Sequence, residues 1–287
     1  MKKKRRMRIH FLLLVLGFWL GHPAFAAPQR KFSVSFSGGM SYLASDEWFR
    51  GIRGGDLALV GEVLGSSFAI VRDGYGFERI GPEFSLEAAY RLTPRLSLGL
   101  GVGYLSRKWT LAGRFERRSF IPEDTANFDL SHAFKMTAFP ISLYAAFEAV
   151  RTRTAVFGLT AAASFDVLRM DYNYDRHNTF FSRFDGAYKE YWETVAQDDA
   201  HIEAVGLRLG VFGERRLTEA LATFVTAEFR LSPLGEVYGP YVRTSTFKSN
   251  DQLVYDVRET LPRRSVQPGT RFILTGPVLR GGLKVSF

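Results

Sequence analysis

Apolar and polar residues exchange places with a period of two in eight separate runs, the signature of β-strands with one apolar face. Phe32, Val34, Phe36, Met40 and Tyr42 alternate with serines and Gly39, and Phe84, Leu86, Ala88, Tyr90 and Leu92 alternate with Ser85, Glu87, Ala89 and Arg91. The stretch "LSLGLGVGY" sets Leu96, Leu98, Leu100, Val102 and Tyr104 on one face. Runs at 141–147, 157–165, 205–211, 225–231 and 279–287 complete the set. The connections between runs alternate in length. Long ones fall at about 44–81, 108–133, 169–200 and 233–271, and short ones at 93–95, 150–153 and 215–219. Structureless loops of such length argue against a compact soluble domain. In an outer-membrane barrel they belong outside the cell, with tight turns on the periplasmic side.

The apolar face of all eight runs carries no Asp, Glu, Lys or Arg. An Arg facing lipid at the bilayer midplane costs about 2–4 kcal/mol, so this face is expected to meet lipid and the mixed face to line a lumen. The pattern predicts an all-β fold: a closed, antiparallel, up-and-down transmembrane β-barrel of eight strands, with short periplasmic turns and long extracellular loops. A secreted β-sandwich also alternates, but it explains neither the charge-free face nor the sorting of loops by length. The count becomes ten if loop one or loop four hides a hairpin, for example around "DLALVGEVLGSSFAIV". Pro277, which has no amide hydrogen to donate, predicts a bulge in the last strand.

The first residues read differently. "MKKKRRMRIH" holds six Lys/Arg, "FLLLVLGFWL" is an apolar run, and Ala24-Phe25-Ala26 fits a cleavage pattern. Residues 1–26 are therefore expected to be a secretory signal peptide and 27–287 the barrel domain. Ten apolar residues reach only about 15 Å as a helix, half a bilayer core. Export changes the charge argument. Of 38 Lys/Arg, 38 − 6 = 32 face 29 Asp/Glu, so +9 falls to +3 and nucleic acid is not an expected partner. With no Cys, a disulfide scaffold is excluded.

With its signal peptide, its loop asymmetry, and segments such as "YRLTPRLSLGLGVGYL" and "LRGGLKVSF", the chain resembles the eight-stranded Gram-negative outer-membrane β-barrels, the class of the OmpA transmembrane domain and OmpX-like proteins. The resemblance spans most of 31–287 as pattern and implies location in the cell outer membrane. The partners it implies are outer-membrane lipids and lipopolysaccharide, periplasmic chaperones and the barrel assembly machinery. Leu283, Val285 and Phe287 would form the assembly signal. The expected closing strand runs to Phe287, so no peptidoglycan-binding domain of the full-length OmpA kind is expected after it.

Alternation assigns Glu83, Glu87, Glu148, Asp166, Glu214 and Glu228 to the lumen, with Arg91, Arg107, Arg208, Arg230, Arg280 and Lys284. Buried charges are costly unless paired, and six acids against six bases favour an ion-pair network filling the barrel. A selective pore would favour rings of one sign, and the lumenal Gly99, Gly101, Gly103, Gly206 and Gly210 leave room for water. Two roles stay open: a structural or surface-interaction protein, favoured, and a narrow channel for small or apolar solutes. A third is a lipid-modifying enzyme. Its candidates are Ser131-His132, with no acid fixed beside it by any motif, and His177 with Asp171, Asp175 and Asp185. "DYNYD" and "QDDA" supply clustered oxygens but lack EF-type spacing, and "GLGVG" lacks the helix of a phosphate loop. No catalytic residue, cofactor or metal is expected. Loop three carries Tyr172, Tyr174, Phe180, Phe181, Phe184, Tyr188, Tyr191 and Trp192 interleaved with Arg176, Arg183 and Lys189. That mix suits lipopolysaccharide or a surface partner; the simpler reading extends the strands beyond the membrane. Loop one is apolar enough to fold over the barrel mouth or into a helix or hairpin.

Overall fold

A computed structural model describes residues 30–42, 46–64, 68–74, 79–117, 125–182, 186–266 and 272–287. The signal peptide with its cleavage pattern, and Arg183, Phe184 and Asp185, lie outside the described residues. The elements run as β1 (Phe32–Tyr42), α1 (Asp46–Leu64), β2 (Phe68–Gly74), β3 (Ile80–Arg91), β4 (Leu96–Arg117), β5 (Thr125–Arg151) and β6 (Ala155–Ser182). They continue as β7 (Ala187–Arg216), β8 (Leu221–Leu231), β9 (Pro233–Gly235), β10 (Tyr238–Ser249), β11 (Gln252–Ser265), β12 (Phe272–Ile273) and β13 (Gly276–Ser286).

Eight strands pair antiparallel in a ring of order β1-β3-β4-β5-β6-β7-β8-β13, and β13 returns to β1 through pairs from Ser33↔Ser286 to Ser41↔Val278. The Phe287 amide donates to the Phe32 carbonyl at 2.8 Å, extending that closure. The three short turns share a device. Thr93 Oγ1 accepts from the Leu96 amide (3.0 Å), Thr152 Oγ1 from Ala155 (2.9 Å) and Thr218 Oγ1 from Leu221 (3.0 Å). Each hydroxyl satisfies a turn amide that the ladder leaves free.

On the side away from these turns, β4–β7 run far beyond β1, β3, β8 and β13 and form a wall. β2 pairs with the upper part of β4, β10 with the upper part of β7, and β11 with β10. Stretches 108–133 and 169–200, expected as loops, are thus mostly strand. Alternation persists there, but its phase inverts. On β5 the outward residues Phe139, Ile141, Leu143 and Phe147 give way above to Thr137, Lys135, Ser131 and Asp129. The inward residues change oppositely, from Glu148 and Ser142 to Ala138, Met136, Phe134, Leu130 and Phe128. β4 inverts between Tyr104 and Leu105, β6 between Val167 and Leu168, and β7 between Ala204 and Val205. These positions align across the sheet, since Leu105 pairs with Ala138, Ala138 with Leu168, and Leu168 with Ile202. A search that follows one apolar face loses the strand at that row.

Loop one contains α1 and the short β2, so the possible hairpin there is a helix followed by a strand. Loop four does hide a hairpin, β10–β11, turning at Asn250 and Asp251 with φ of 50° and 63°, the left-handed pair of a type I′ turn. It adds to β7 at Lys189–His201 rather than entering the ring, which keeps eight strands. The bulge expected at Pro277 is absent: β13 pairs with β8 and β1 without a register shift. The β1 ladder begins only at Val278, so Pro277 sits at the strand's start, where proline is tolerated.

Above the inversion row the inward side chains form two apolar clusters. One joins Phe49, Leu105, Trp109, Met136, Leu168 and Phe272, and the other joins Val60, Leu64, Phe115 and Phe128. Helix α1 lies along the inner face of β4 and β5, burying Phe49, Ile52, Asp56, Val60 and Leu64 at spacings of three and four.

Candidate functional site

Inside the ring, below the apolar clusters, the charges meet in pairs. Arg280 donates to Glu87 at 2.9 Å and to Glu228 at 2.7 Å, and Arg208 approaches Glu228 at 3.8 Å. Arg230 pairs with Glu83, both fully buried, and Lys284 reaches Glu214 at 2.6 Å. Arg91 donates to Glu148 at 2.6 Å, and Arg151, absent from the sequence assignment, shares that carboxylate through Nε at 2.7 Å. Two of the twelve assigned residues are not in ion pairs among the described residues. Arg107 instead donates to the carbonyls of Pro82 (2.7 Å), Gly81 (2.8 Å) and Ser41 (3.1 Å), tying together the ends of β1 and β3. Asp166 is fully buried beside Gly206 and has no hydrogen-bond partner among the described residues. The lumenal glycines do not hold open space. A Cβ on Gly101 would lie 2.9 Å from Glu87 Cγ, and one on Gly103 2.7 Å from Pro140 Cγ. A cavity of about 70 Å³ adjoins Glu87, Tyr144, Glu148 and Lys284.

A second cluster sits in the upper wall. His132 Nε2 is 2.7 Å from Asp56 Oδ2, and His132 Nδ1 is 3.0 Å from the Tyr172 hydroxyl. The imidazole is buried, with its ring centroid 4.8 Å from that of Tyr174 and its plane stacked with Phe134 at 6.2 Å. Sequence reasoning found no acid for His132 because Asp56 lies 76 residues away, on a helix. The available signal was the 49/52/56/60/64 stripe, whose one charge calls for a buried partner. Burial pushes the Tyr172 and Tyr174 hydroxyls well above the usual tyrosine range, so both stay protonated.

Ser131 and His132 are neighbours on β5 and therefore point to opposite faces. The serine is outside while the imidazole is sealed inside, and no nucleophile–base pair forms. His177 pairs with Glu190 at 2.9 Å and packs on Trp192 at 5.1 Å. Asp171 pairs with Lys135 at 3.6 Å and accepts from the Asp199 amide at 3.2 Å. Among the described residues no three His, Cys, Asp or Glu converge as metal ligands. Of the loop-three aromatics, Tyr172 and Tyr174 face inward, Arg176 lies 4.7 Å from the Tyr191 ring centroid and 4.9 Å from that of Phe128, and Lys248 lies 5.0 Å from that of Trp192.

No protein-family model and no curated protein matches the chain. Its structural neighbours are outer-membrane β-barrels. A major outer membrane protein from Thermus thermophilus aligns over 90% of this chain and 100% of its own, at 11% identity and a TM-score of 0.38. The outer membrane protease OmpT from Escherichia coli aligns over 92% and 99%, at 12% identity and 0.36. The outer membrane protein OprG from Pseudomonas aeruginosa aligns over 90% and 97%, at 9% and 0.33. Identities and scores this low transfer neither residues nor activity.

Proposed function

We propose that the chain is an exported outer-membrane β-barrel whose ring crosses the membrane with a plugged interior, and whose role is structural and interactive, exerted by the wall above the membrane. The observation that carries this is the inversion of both faces at one row. A strand whose outer face is apolar below and polar above, while its inner face does the reverse, has lipid outside one half and water outside the other. The apolar outer stretch of β5, residues 139–147, covers eight steps. At about 3.4 Å per step and a tilt of about 40° it rises roughly 20 Å, near the roughly 25 Å band of such barrels. Aromatic residues mark both borders. Phe84 faces Tyr104, which lies 5.5 Å from Phe139; at the other border Phe32 faces Tyr90 and lies 6.1 Å from Phe287.

The orientation supports the expected partners. Just above the apolar band Lys108 sits directly opposite Lys135 on the outer face, with Arg169 near them. Asp171 answers Lys135 at 3.6 Å and Asp199 answers Arg169 at 3.8 Å, while Lys108 makes no ion pair among the described residues; lipopolysaccharide phosphates at this height would offset its repulsion from Lys135. Leu283, Val285 and Phe287 stand on the lipid side, available to the assembly machinery after delivery by periplasmic chaperones. The ion pairs and the apolar clusters above them favour a plug over a channel. In planar bilayers the folded protein is expected to give no stable unitary conductance; reproducible, ion-dependent steps would replace the plug with the channel.

A further inference from the structure

Between α1 and the strands β6, β7, β10 and β11 the wall carries an open cleft of about 370 Å³. Its lining includes Tyr172, Tyr174, Tyr241, Arg176, Arg243 and Arg264. Glu193 is the one acid on that lining, and it is already shared: Arg243 Nε lies 2.5 Å from it and Arg176 Nη1 3.4 Å. Arg243 also approaches Glu259 at 4.0 Å. Arg264 makes no ion pair among the described residues; its guanidinium lies over the Tyr241 ring, 4.3 Å from the centroid. Its backbone is fixed as well, since Gln197 Nε2 donates to the Arg264 carbonyl at 3.1 Å.

We propose that this cleft binds a small soluble solute bearing a phosphate or carboxylate group, with Arg264 as its anchor. The assignment rests on the wall facing the cell exterior, as argued above. Three guanidinium groups against the shared Glu193 and the more distant Glu259 still leave an excess of one positive charge. A planar guanidinium offers paired N–H donors matched to two oxygens of an oxyanion. Stacking on Tyr241 holds that plane in place, so less side-chain freedom is lost on binding. The neighbouring Tyr174 hydroxyl is kept protonated by burial and is a further donor, so the site favours a ligand rich in acceptors. The cleft opens on the inner side of the wall, whereas Lys108 and Lys135 face outward. A solute arriving from the medium reaches it, and a lipid headgroup in the leaflet does not.

The test is a calorimetric titration of heat-modifiable protein in lipopolysaccharide-free detergent micelles, with inorganic phosphate, glucuronate and neutral glucose as probes. Saturable binding of at least one anion is expected, weakened by high salt and absent for glucose. Arg264→Ala should weaken it by about tenfold or more, the loss of a charge-assisted bidentate contact. Arg264→Lys, which keeps the charge without the fork, should fall between. Arg264 is exposed near the end of an edge strand, so neither substitution threatens the fold. Failure of both anions to bind the wild type, or equal affinity in Arg264→Ala, overturns the proposal. Displacement of the bound anion by lipopolysaccharide overturns its assignment to a soluble solute. Because binding is read in micelles, a failure of the plugged-barrel reading would show in the conductance measurement and leave this result interpretable.

Discussion

Leu143 offers the sharpest test of which solvent surrounds the ring. It lies midway along the apolar stretch of β5, is 58% exposed, and faces Leu100 on β4 and Ala163 on β6. If water surrounded it, Leu143→Arg would be an ordinary surface change, within about 0.5 kcal/mol of neutral. If lipid surrounds it, the guanidinium sits near the bilayer midplane and costs about 2–4 kcal/mol. The internal control is Ala133→Arg on the same strand and face, ten residues toward the wall and above the inversion row. There the outward neighbours are Ser131 and Lys135, and the expected cost is close to zero. Reversible denaturant unfolding from phospholipid vesicles measures both. A difference of about 2 kcal/mol or more between the two variants is expected. Equal costs would refute the inference that the inversion row marks the membrane surface, whatever the gel behaviour of the protein.

Two further outcomes concern the wall. Asp56→Ala deprives His132 Nε2 of a carboxylate at 2.7 Å in a buried site. A hydrogen bond to a charged group is worth about 1.5–3 kcal/mol, so amide exchange in α1 should accelerate roughly ten- to a hundredfold, with the ring's heat-modifiability unchanged. Unaltered exchange would mean the pair does not hold the helix. The raised pKa values of Tyr172 and Tyr174 fix the sign of an alkaline effect. An unfolded tyrosine ionises near pH 10, whereas in the folded wall burial favours the neutral form. Their contribution is therefore fully present below about pH 10 and is lost as pH rises from there through the folded values. Tyrosinate absorbance should show a late-titrating group that coincides with loss of α1 protection, and uniform titration of all tyrosines near pH 10 would contradict it.

How much of this was legible follows from which solvent each segment meets. In the proposed barrel lipid imposes one rule on every spanning strand, so runs such as 96–104 and 279–287 announce themselves, and alternation alone places Glu87, Glu228 and Arg280 inside. It does not choose their partners. Glu83 meets Arg230 from 147 residues away because ring order and strand stagger bring β3 and β8 to one level, and neither is written locally. The wall was hidden for a different reason. Phe134, Met136 and Ala138 continue the β5 alternation one residue out of phase with Phe139 and Ile141, so two rules abut within one strand. Asp56 is not legible from strand alternation because it lies on a helix inside loop one, where the period is three to four rather than two.

The same division of solvents explains why the interior changes character. On the proposed reading the outside below the inversion row is lipid and above it water, and below the row burying apolar groups inside gains little over leaving them against hydrocarbon. A polar filling is stable there provided its charges are paired, and Arg280 between Glu87 and Glu228 meets that condition. Above the row each Å² of apolar surface turned inward gains about 25 cal/mol. Leu105, Met136, Leu168 and Phe272 therefore gather into a core to which α1 can be fastened. That core lies between the paired charges and the upper cleft. An ion moving through would have to part the apolar layer and separate buried ion pairs, each costing several kcal/mol to break. Both layers act in the same direction, so on the proposed readings a solute held at Arg264 would be retained on the outer side of the barrel, and its binding would not be a step of transport.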